Sequence, residues 1–310
     1  LPSKVSKSEE FTLNRDSWQA AGLKGWWPLG GYNDARDLSG YGNHGLHASN
    51  ATIGTRRLKK WTIGGRTAMS FDRGNYENLR VIDAWRGPHY TSAYGYFTVG
   101  PHEPAVVSPQ GAVDLTIAAW IWPGGEEAGD SSGGIHHGAT GLMPIMSHSG
   151  YSGGVGLGYE LRLDKACCYS TYRATFQIAE TVSSINTVST SWTNLQDGTI
   201  IGGSPPNVYG WIFVIGTYNA AAGTMSVHLR GGKNHSDDLT EDVTATGIPN
   251  VQYNAAGSYS SQNVMPRIGM RGDYNTYSYA GCMDDVRLYH KTLSINEIDA
   301  IYENTRDGSY

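Results

Sequence analysis

Two stretches of the sequence carry side chains that could bind a cation. Residues 37–45 (DLSGYGNHG) place the oxygen-bearing side chains of Asp37 and Asn43 in a glycine-rich turn. Near the other end of the chain, Asp284 and Asp285 lie in the middle of a strand-like run. Carboxylates in a strand are costly unless they are paired, and calcium takes six to eight oxygen ligands from such groups. The pattern is compatible with one shared cation site, and also with an ordinary Asx-rich turn and a solvated pair of aspartates.

The composition favours a β protein and argues against several function classes. Of 310 residues, 41 are Gly, 20 are Tyr and 9 are Trp, while only 16% are charged, which is typical of short strands joined by glycine-rich turns. The net charge is −5 and residues 56–60 form the one basic cluster, so we do not expect nucleic-acid binding. No apolar run approaches the roughly 18 residues of a membrane span.

Strand patterns that could position the polar stretches recur along the whole chain. β-branched and aromatic residues predict buried strands at 113–122 and 209–219, the second forming a hairpin with 223–230. Further strands are predicted at 22–30, 46–53, 66–72, 78–82, 142–148, 156–164, 172–180, 266–271 and 279–289. We expect loops or insertions at 84–111, 123–141 and 183–208. Ser294 and Glu297 fit a capping box before one short helix. Together these patterns predict an antiparallel β-sandwich.

The order of several motifs resembles the laminin-G-like, concanavalin A-like jelly-roll domains. The motifs are residues 25–29 (GWWPL), 37–45 (DLSGYGNHG), 68–72 (AMSFD), 115–121 (LTIAAWI), 281–289 (GCMDDVRLY) and 293–298 (LSINEI). The resemblance runs from about residue 22 to residue 303. It implies an all-β fold, a two-sheet antiparallel jelly-roll sandwich with one short C-terminal helix. The three insertions depart from the family pattern, and they leave the ligand surface open because such surfaces lie on loops.

The resemblance also implies a calcium site that joins the turn after the first strand to the last strand. Carried over by motif, the side-chain ligands of Ca²⁺ would be Asp37, Asn43 and Asp284, with backbone carbonyls of the turn completing the set. We expect Asp285 beside these ligands or exposed to solvent. The metal would stabilise the fold and take no part in a reaction.

The sequence does not predict an enzyme. Glycoside hydrolases of this broad fold need two carboxylates that flank a sugar bond, and similar glucanases carry Glu-x-Asp-x-Glu or Glu-x-Asp-x-x-Glu on one strand. No such run occurs here, and adjacent pairs such as Glu126 with Glu127 would point to opposite faces of a strand. Residues 150–154 match Gly-x-Ser-x-Gly, but a strand pattern follows where that motif requires a helix.

Aromatic residues in the long loops are candidates for sugar stacking. Such side chains present a flat apolar face and, in Trp and Tyr, a polar group. The candidate ligand-binding residues are Trp85, Tyr90, Tyr94, Tyr274 and Tyr277. The alternative is that these aromatics pack against their own loops or bury at a subunit interface. We therefore expect a non-catalytic lectin-like module that binds surface glycans.

The N-terminal residues suggest a second, architectural function. Residues 1–18 are polar and unpatterned, so we expect an extended arm followed by one jelly-roll domain at 19–310. The stretch 11–17 before the first strand resembles bacteriophage structural proteins that carry this domain. This predicts a homo-oligomeric decoration protein of a capsid or tail, with an extracellular or virion-surface location. Three cysteines leave open whether Cys167 or Cys168 pairs with Cys282 or all are thiols.

Overall fold

The computed structural model describes just over half of the chain. The described residues are 13–30, 36–48, 59–63, 65–71, 78–81, 89–90, 97–98, 113–123, 141–149, 158–165, 171–181, 184–194, 210–231, 239–249, 266–269, 279 and 281–308. They form eighteen strands and one helix. No helix in these ranges is long and apolar enough to cross a membrane.

The strands are numbered in chain order. They are β1 (Leu23–Trp27), β2 (Gly45–Ala48), β3 (Lys59–Ile63), β4 (Arg66–Phe71), β5 (Asn78–Val81), β6 (His89–Tyr90), β7 (Phe97–Thr98), β8 (Leu115–Pro123), β9 (Gly141–Ser149), β10 (Gly158–Lys165), β11 (Thr171–Thr181), β12 (Ser184–Ser189), β13 (Thr193–Asn194), β14 (Ile212–Asn219), β15 (Thr224–Gly231), β16 (Leu239–Thr246), β17 (Arg267–Ile268) and β18 (Gly281–Tyr289). The helix α1 spans Ile295–Thr305.

Two antiparallel sheets of eight strands form a jelly-roll sandwich, which confirms the predicted fold class. The first sheet has the order β16-β15-β14-β8-β18-β4-β3, and β1 pairs with the C-terminal half of β18. The second sheet has the order β12-β11-β10-β9-β17-β5-β2, and β13 pairs with β11. β6 and β7 form a separate two-stranded ribbon.

The main core lies between the two sheets. Alternating residues of the central strands fill it, among them Ile117 and Ile121 of β8 and Leu161 and Phe176 of the second sheet. The sheets approach closely at Gly216, because a side chain at this position would clash with the ring of Phe176. Burial on this scale is the dominant stabilising term of the fold.

The helix α1 covers the outer face of the first sheet. Ser294 accepts a hydrogen bond from the amide of Glu297, and the side chain of Glu297 accepts from the amide of Ser294, which confirms the predicted capping box. Tyr302 of the helix stacks on Trp120 with ring centroids 5.4 Å apart, and Ile298 and Ile301 are buried in the same cluster. β8 is therefore buried on both faces, which explains its continuous apolar sequence.

Some predicted boundaries are wrong. The segment 183–208 was expected to be a loop, yet it contains β12 and β13, and β3 and β16 were not predicted at all. The arm prediction falls largely on residues 1–12, which lie outside the described residues. Residues 14–21 form consecutive hydrogen-bonded turns. Cys282 is buried, and the pairing proposed for it involves Cys167 and Cys168, which are also outside the described residues.

Candidate functional site

The outer face of the second sheet carries a cluster of buried and half-buried polar side chains. In β10, Leu161 and Leu163 point into the main core, so alternation directs Glu160, Arg162 and Asp164 to the opposite face. Neighbouring strands add further polar groups in register with these three. We call this surface the polar face and define it by Ser147, Glu160, Arg162, Asp164, Arg173, Thr175, Gln177 and Ser189.

Arg162 lies at the centre of the polar face and holds both carboxylates of β10. Its Nη1 donates to Oε1 of Glu160 at 2.8 Å, and its Nε donates to Oδ1 of Asp164 at 2.7 Å. Nη1 also donates to Oε1 of Gln177 at 2.7 Å. Burial alone would lower the pKa of Arg162, but the two carboxylates outweigh burial and raise this pKa.

Side chains of the adjacent strands donate further hydrogen bonds to the two carboxylates. The hydroxyl of Ser147 donates to Glu160 at 3.1 Å. Thr175 and Arg173 donate to Oδ2 of Asp164 at 2.9 Å and 3.0 Å. Burial alone would raise the pKa of Asp164, but Arg162, Thr175 and Arg173 together outweigh burial and lower this pKa, so Asp164 stays ionised. Such a satisfied network is rigid.

An exposed tryptophan lies at the edge of the polar face. Trp192 follows β12 and is 47% exposed. The guanidinium of Arg173 lies 4.6 Å from the centroid of its ring, and Arg173 is in turn paired with Asp164. A cation at this distance from an aromatic face is attracted to it. Trp192 is therefore an oriented aromatic surface next to hydrogen-bonding groups.

The segment that carries Trp192 is held by both sheets. Thr190 and Ala174 exchange two hydrogen bonds of 3.0 Å, which attach the segment to β11. The amide of Ser191 donates to Oε1 of Glu241 at 2.6 Å, and Glu241 belongs to the edge strand β16 of the first sheet. These contacts fix the position of Trp192 relative to the polar face.

The carboxylates Glu160 and Asp164 of the polar face do not have the arrangement of a glycoside hydrolase pair. Hydrolases leave about 5–5.5 Å or about 6.5–9.5 Å between their two carboxyl groups, for direct attack or for a water. Here the guanidinium of Arg162 fills the space between Glu160 and Asp164. A general acid also needs a raised pKa, whereas the pKa of Asp164 is lowered.

Sequence reasoning missed the polar face. The signal was present in residues 158–165 (GYELRLDK), where Glu160, Arg162 and Asp164 alternate with apolar residues. This spacing places all three side chains on one face of a strand. Their hydrogen-bond partners lie on β9, β11 and β12. Pairing between these strands brings the partners close, and no local sequence pattern indicates that pairing.

The predicted metal ligand Asp37 is surrounded by backbone amides. Its Oδ1 accepts from the amides of Trp26 at 2.9 Å and Ser39 at 2.8 Å, and its Oδ2 accepts from the amide of Asn43 at 2.9 Å. The side-chain amide of Asn43 donates to the carbonyl of Lys24 at 3.3 Å. Asp37 and Asn43 therefore lie together in a buried turn.

The third predicted ligand, Asp284, belongs to a different cluster. It is fully buried, and its Oδ2 accepts from Nη1 of Arg66 at 3.0 Å. Asp285 is also fully buried and pairs with Arg287, which corrects the option of an exposed Asp285. Among the described residues, no group of three His, Cys, Asp or Glu side chains could hold a metal.

These contacts fit calcium poorly. The oxygens of Asp37 face three N–H donors, and one of the two oxygens of Asp284, Oδ2, faces a guanidinium, whereas calcium requires oxygen atoms that face the ion. Calcium binding at Asp37, Asn43 and Asp284 stays a prediction.

The predicted aromatic ligand residues fall almost entirely beyond the described ranges. Trp85, Tyr94, Tyr274 and Tyr277 lie outside the described residues. Tyr90 lies in β6, where it pairs with Phe97 of β7. The binding function assigned to these five residues stays a prediction.

Comparison with known proteins adds weak likenesses to solved structures. No family model matches the chain, and no curated protein matches it. The binding domain of botulinum neurotoxin serotype D/C is 12% identical with a TM-score of 0.48; the match covers 91% of this chain and 52% of the toxin chain. The sialidase CBM40 of Ruminococcus gnavus, solved with α2,3-sialyllactose, is 12% identical with a TM-score of 0.39 and coverages of 65% and 89%. The Limulus polyphemus SAP-like pentraxin is 14% identical with a TM-score of 0.37 and coverages of 62% and 71%.

These structural similarities do not by themselves establish a function. This chain spans about half the length of the toxin structure, and the three TM-scores lie below 0.5. The assignment of a jelly-roll sandwich therefore rests on the two sheets and their strand order.

Proposed function

We propose that this protein is a non-catalytic glycan-binding module whose sugar site is the Trp192 end of the polar face. The observation that carries the proposal is an exposed tryptophan held beside a sheet face of amide, hydroxyl, carboxylate and guanidinium groups. Sugars combine apolar C–H faces with many hydroxyls, so their sites combine an aromatic surface with planar polar groups. The end near Trp192 is the accessible one, since Thr187 is exposed and Ser189 is half-buried.

The ligand is expected to be a neutral sugar. Within the ionic network, Glu160 and Asp164 are matched by Arg162 and Arg173. The two negative and two positive charges of these four described residues balance one another, and the inner ion pairs are shielded from solvent. Binding should therefore change little between low and physiological salt, whereas attraction between exposed charges weakens as salt increases.

A glycan array tests this proposal on the full chain. We expect hits among neutral oligosaccharides, loss of the hits in Trp192→Ala, and no change in Trp18→Ala. Trp18 is a matched control because it is 40% exposed and lies before β1. Loss of the hits in Trp85→Ala or Tyr94→Ala, with Trp192→Ala unaffected, would move the site to the predicted aromatic loops.

Several finer predictions remain part of the proposal. The laminin-G-like resemblance, a homo-oligomer and an extracellular or virion-surface location are compatible with a glycan-binding module. An array without hits, together with a regular oligomer in solution, would favour the architectural decoration protein instead.

A further inference from the structure

A β-bulge in β18 directs two consecutive aspartates to the same face of the first sheet. Met283 and Val286 both point into the main core. In a regular strand, one residue separates two neighbouring side chains on the same face, but here two residues, Asp284 and Asp285, separate them. Asp285 takes a left-handed backbone conformation, with φ of 51°, and the register with β8 shifts between Asp284 and Arg287. Bulges redirect side chains in this way. Both carboxylates are fully buried and require cationic or N–H partners.

The partner of Asp284 is a guanidinium that is itself enclosed. Arg66 donates to Asp284 and also to the backbone carbonyl of Thr305 at the end of α1. Its guanidinium lies 4.3 Å from the ring centroid of Trp120 and 5.5 Å from that of Trp211. A planar cation enclosed between aromatic rings and a carboxylate is a favourable arrangement for arginine.

The partners of Asp285 are a second guanidinium and an indole. Arg287 donates to both oxygens of Asp285, at 2.8 Å and 2.9 Å. The indole Nε1 of Trp26 donates to Oδ1 at 2.6 Å. Burial alone would lower the pKa of Arg287, but Asp285 outweighs burial and raises it, so this arginine stays charged. Bidentate pairs of this kind are strong and specific.

Trp26 connects the two chain regions that the metal was expected to join. Its backbone amide donates to Asp37 in the turn, while its side chain donates to Asp285 in the last strand. The carbonyl of Trp26 also accepts from the amide of Leu38. The turn and β18 are therefore linked directly through Trp26.

We infer that Arg66 and Arg287 supply the positive charge at Asp284 and Asp285, and that this chain joins its first-strand turn to its last strand without a metal ion. A divalent cation next to Arg66 would be repelled by the guanidinium. A cation at Asp37 would displace three backbone amides and leave them buried without partners. This inference is independent of the glycan site, which lies on the other sheet.

Thermal unfolding with and without calcium tests the inference. We expect the same Tm for the wild-type chain in calcium and in chelator. A Tm that calcium raises in the wild type but not in Asp284→Asn or Asp37→Asn would overturn the inference. A rise that persists in both variants would support it, because the metal would then bind elsewhere.

Paired substitutions test the function of Arg66 directly. Arg66→Met and Asp284→Leu should each lower Tm by several degrees, and the double variant should recover part of the loss, because no buried charge is left without its partner. Arg306→Met, which removes an exposed arginine paired with Glu303, should leave Tm unchanged. A double variant that loses as much as the two single variants added together would contradict the pairing. If a single variant does not fold, a folded double variant still supports the inference, and a double variant that also fails to fold counts against it.

Discussion

The outer face of each sheet carries an arginine that forms ion pairs with buried carboxylates. Arg162 on the polar face holds two carboxylates, and Arg66 on the helix-covered face holds one. A buried ion pair gives little net stability, but removing one partner leaves a charge that the protein interior cannot solvate. These arginines are therefore expected to be sensitive to substitution.

Replacing Arg162 should destabilise the fold strongly. Arg162→Met leaves Glu160 and Asp164 buried without their shared cation, and we expect the free energy of unfolding to fall by about 3–5 kcal/mol. Urea denaturation measures this change. The control is Arg306→Met at an exposed ion pair, expected to change stability by no more than about 0.5 kcal/mol. An equal decrease in the free energy of unfolding in Arg162→Met and Arg306→Met would contradict the stabilising role assigned to Arg162.

Mild acid should destabilise the fold through His228. This ring is buried on β15 and contacts Asp242, with Arg230 and Asp299 nearby. Burial outweighs the carboxylates and lowers the pKa of His228 below 6.5. The unfolded chain therefore binds the proton more readily, so this stability is complete above pH 6.5 and is lost as the pH falls through the folded-state pKa.

The measurement for His228 is Tm against pH. We expect Tm to fall below about pH 6.5 in the wild type and to fall less steeply in His228→Gln. The pKa of Asp242 is lowered from 3.8, since Arg230 and His228 outweigh burial, so its own contribution is lost only at lower pH. If Tm falls equally with pH between pH 7 and 5 in the wild type and in His228→Gln, a group other than His228 causes the loss of stability.

At the scale of elements, the sequence predicts buried strands better than edge strands. β8 and β14 were predicted because both faces are buried and the sequence is continuously apolar. The helix α1 was predicted from its capping box and apolar stripe. The edge strands β12 and β16 were missed because only one side of each is covered, so threonine, serine and aspartate occupy many positions.

The edge strand β16 positions the segment that carries Trp192. Glu241→Ala removes the acceptor for the amide of Ser191, so we expect glycan affinity to fall several-fold while Tm changes little. Glu241→Gln keeps a side-chain oxygen acceptor and should retain most of the affinity. Isothermal titration against the best array hit measures both. An Ala variant with wild-type affinity would remove Glu241 from the site.

At the scale of the whole molecule, the two sheets have different surroundings. The first sheet packs against the core on one face and against α1 on the other. The second sheet packs against the core on one face, and its other face carries the polar side chains around Arg162. The sequence pattern predicts this sandwich, but pairing between strands that are distant in sequence decides which polar residues meet. Arg173 reaches Asp164 because β10 and β11 pair in that register.

The affinity of Trp192→Ala for the best neutral oligosaccharide tests the central claim most directly. We predict about a tenfold or greater loss, which corresponds to about 1.4 kcal/mol of stacking, with Tm unchanged because the ring is half exposed. Trp18→Ala should bind like the wild type. An unchanged dissociation constant for Trp192→Ala would contradict a sugar site on the polar face.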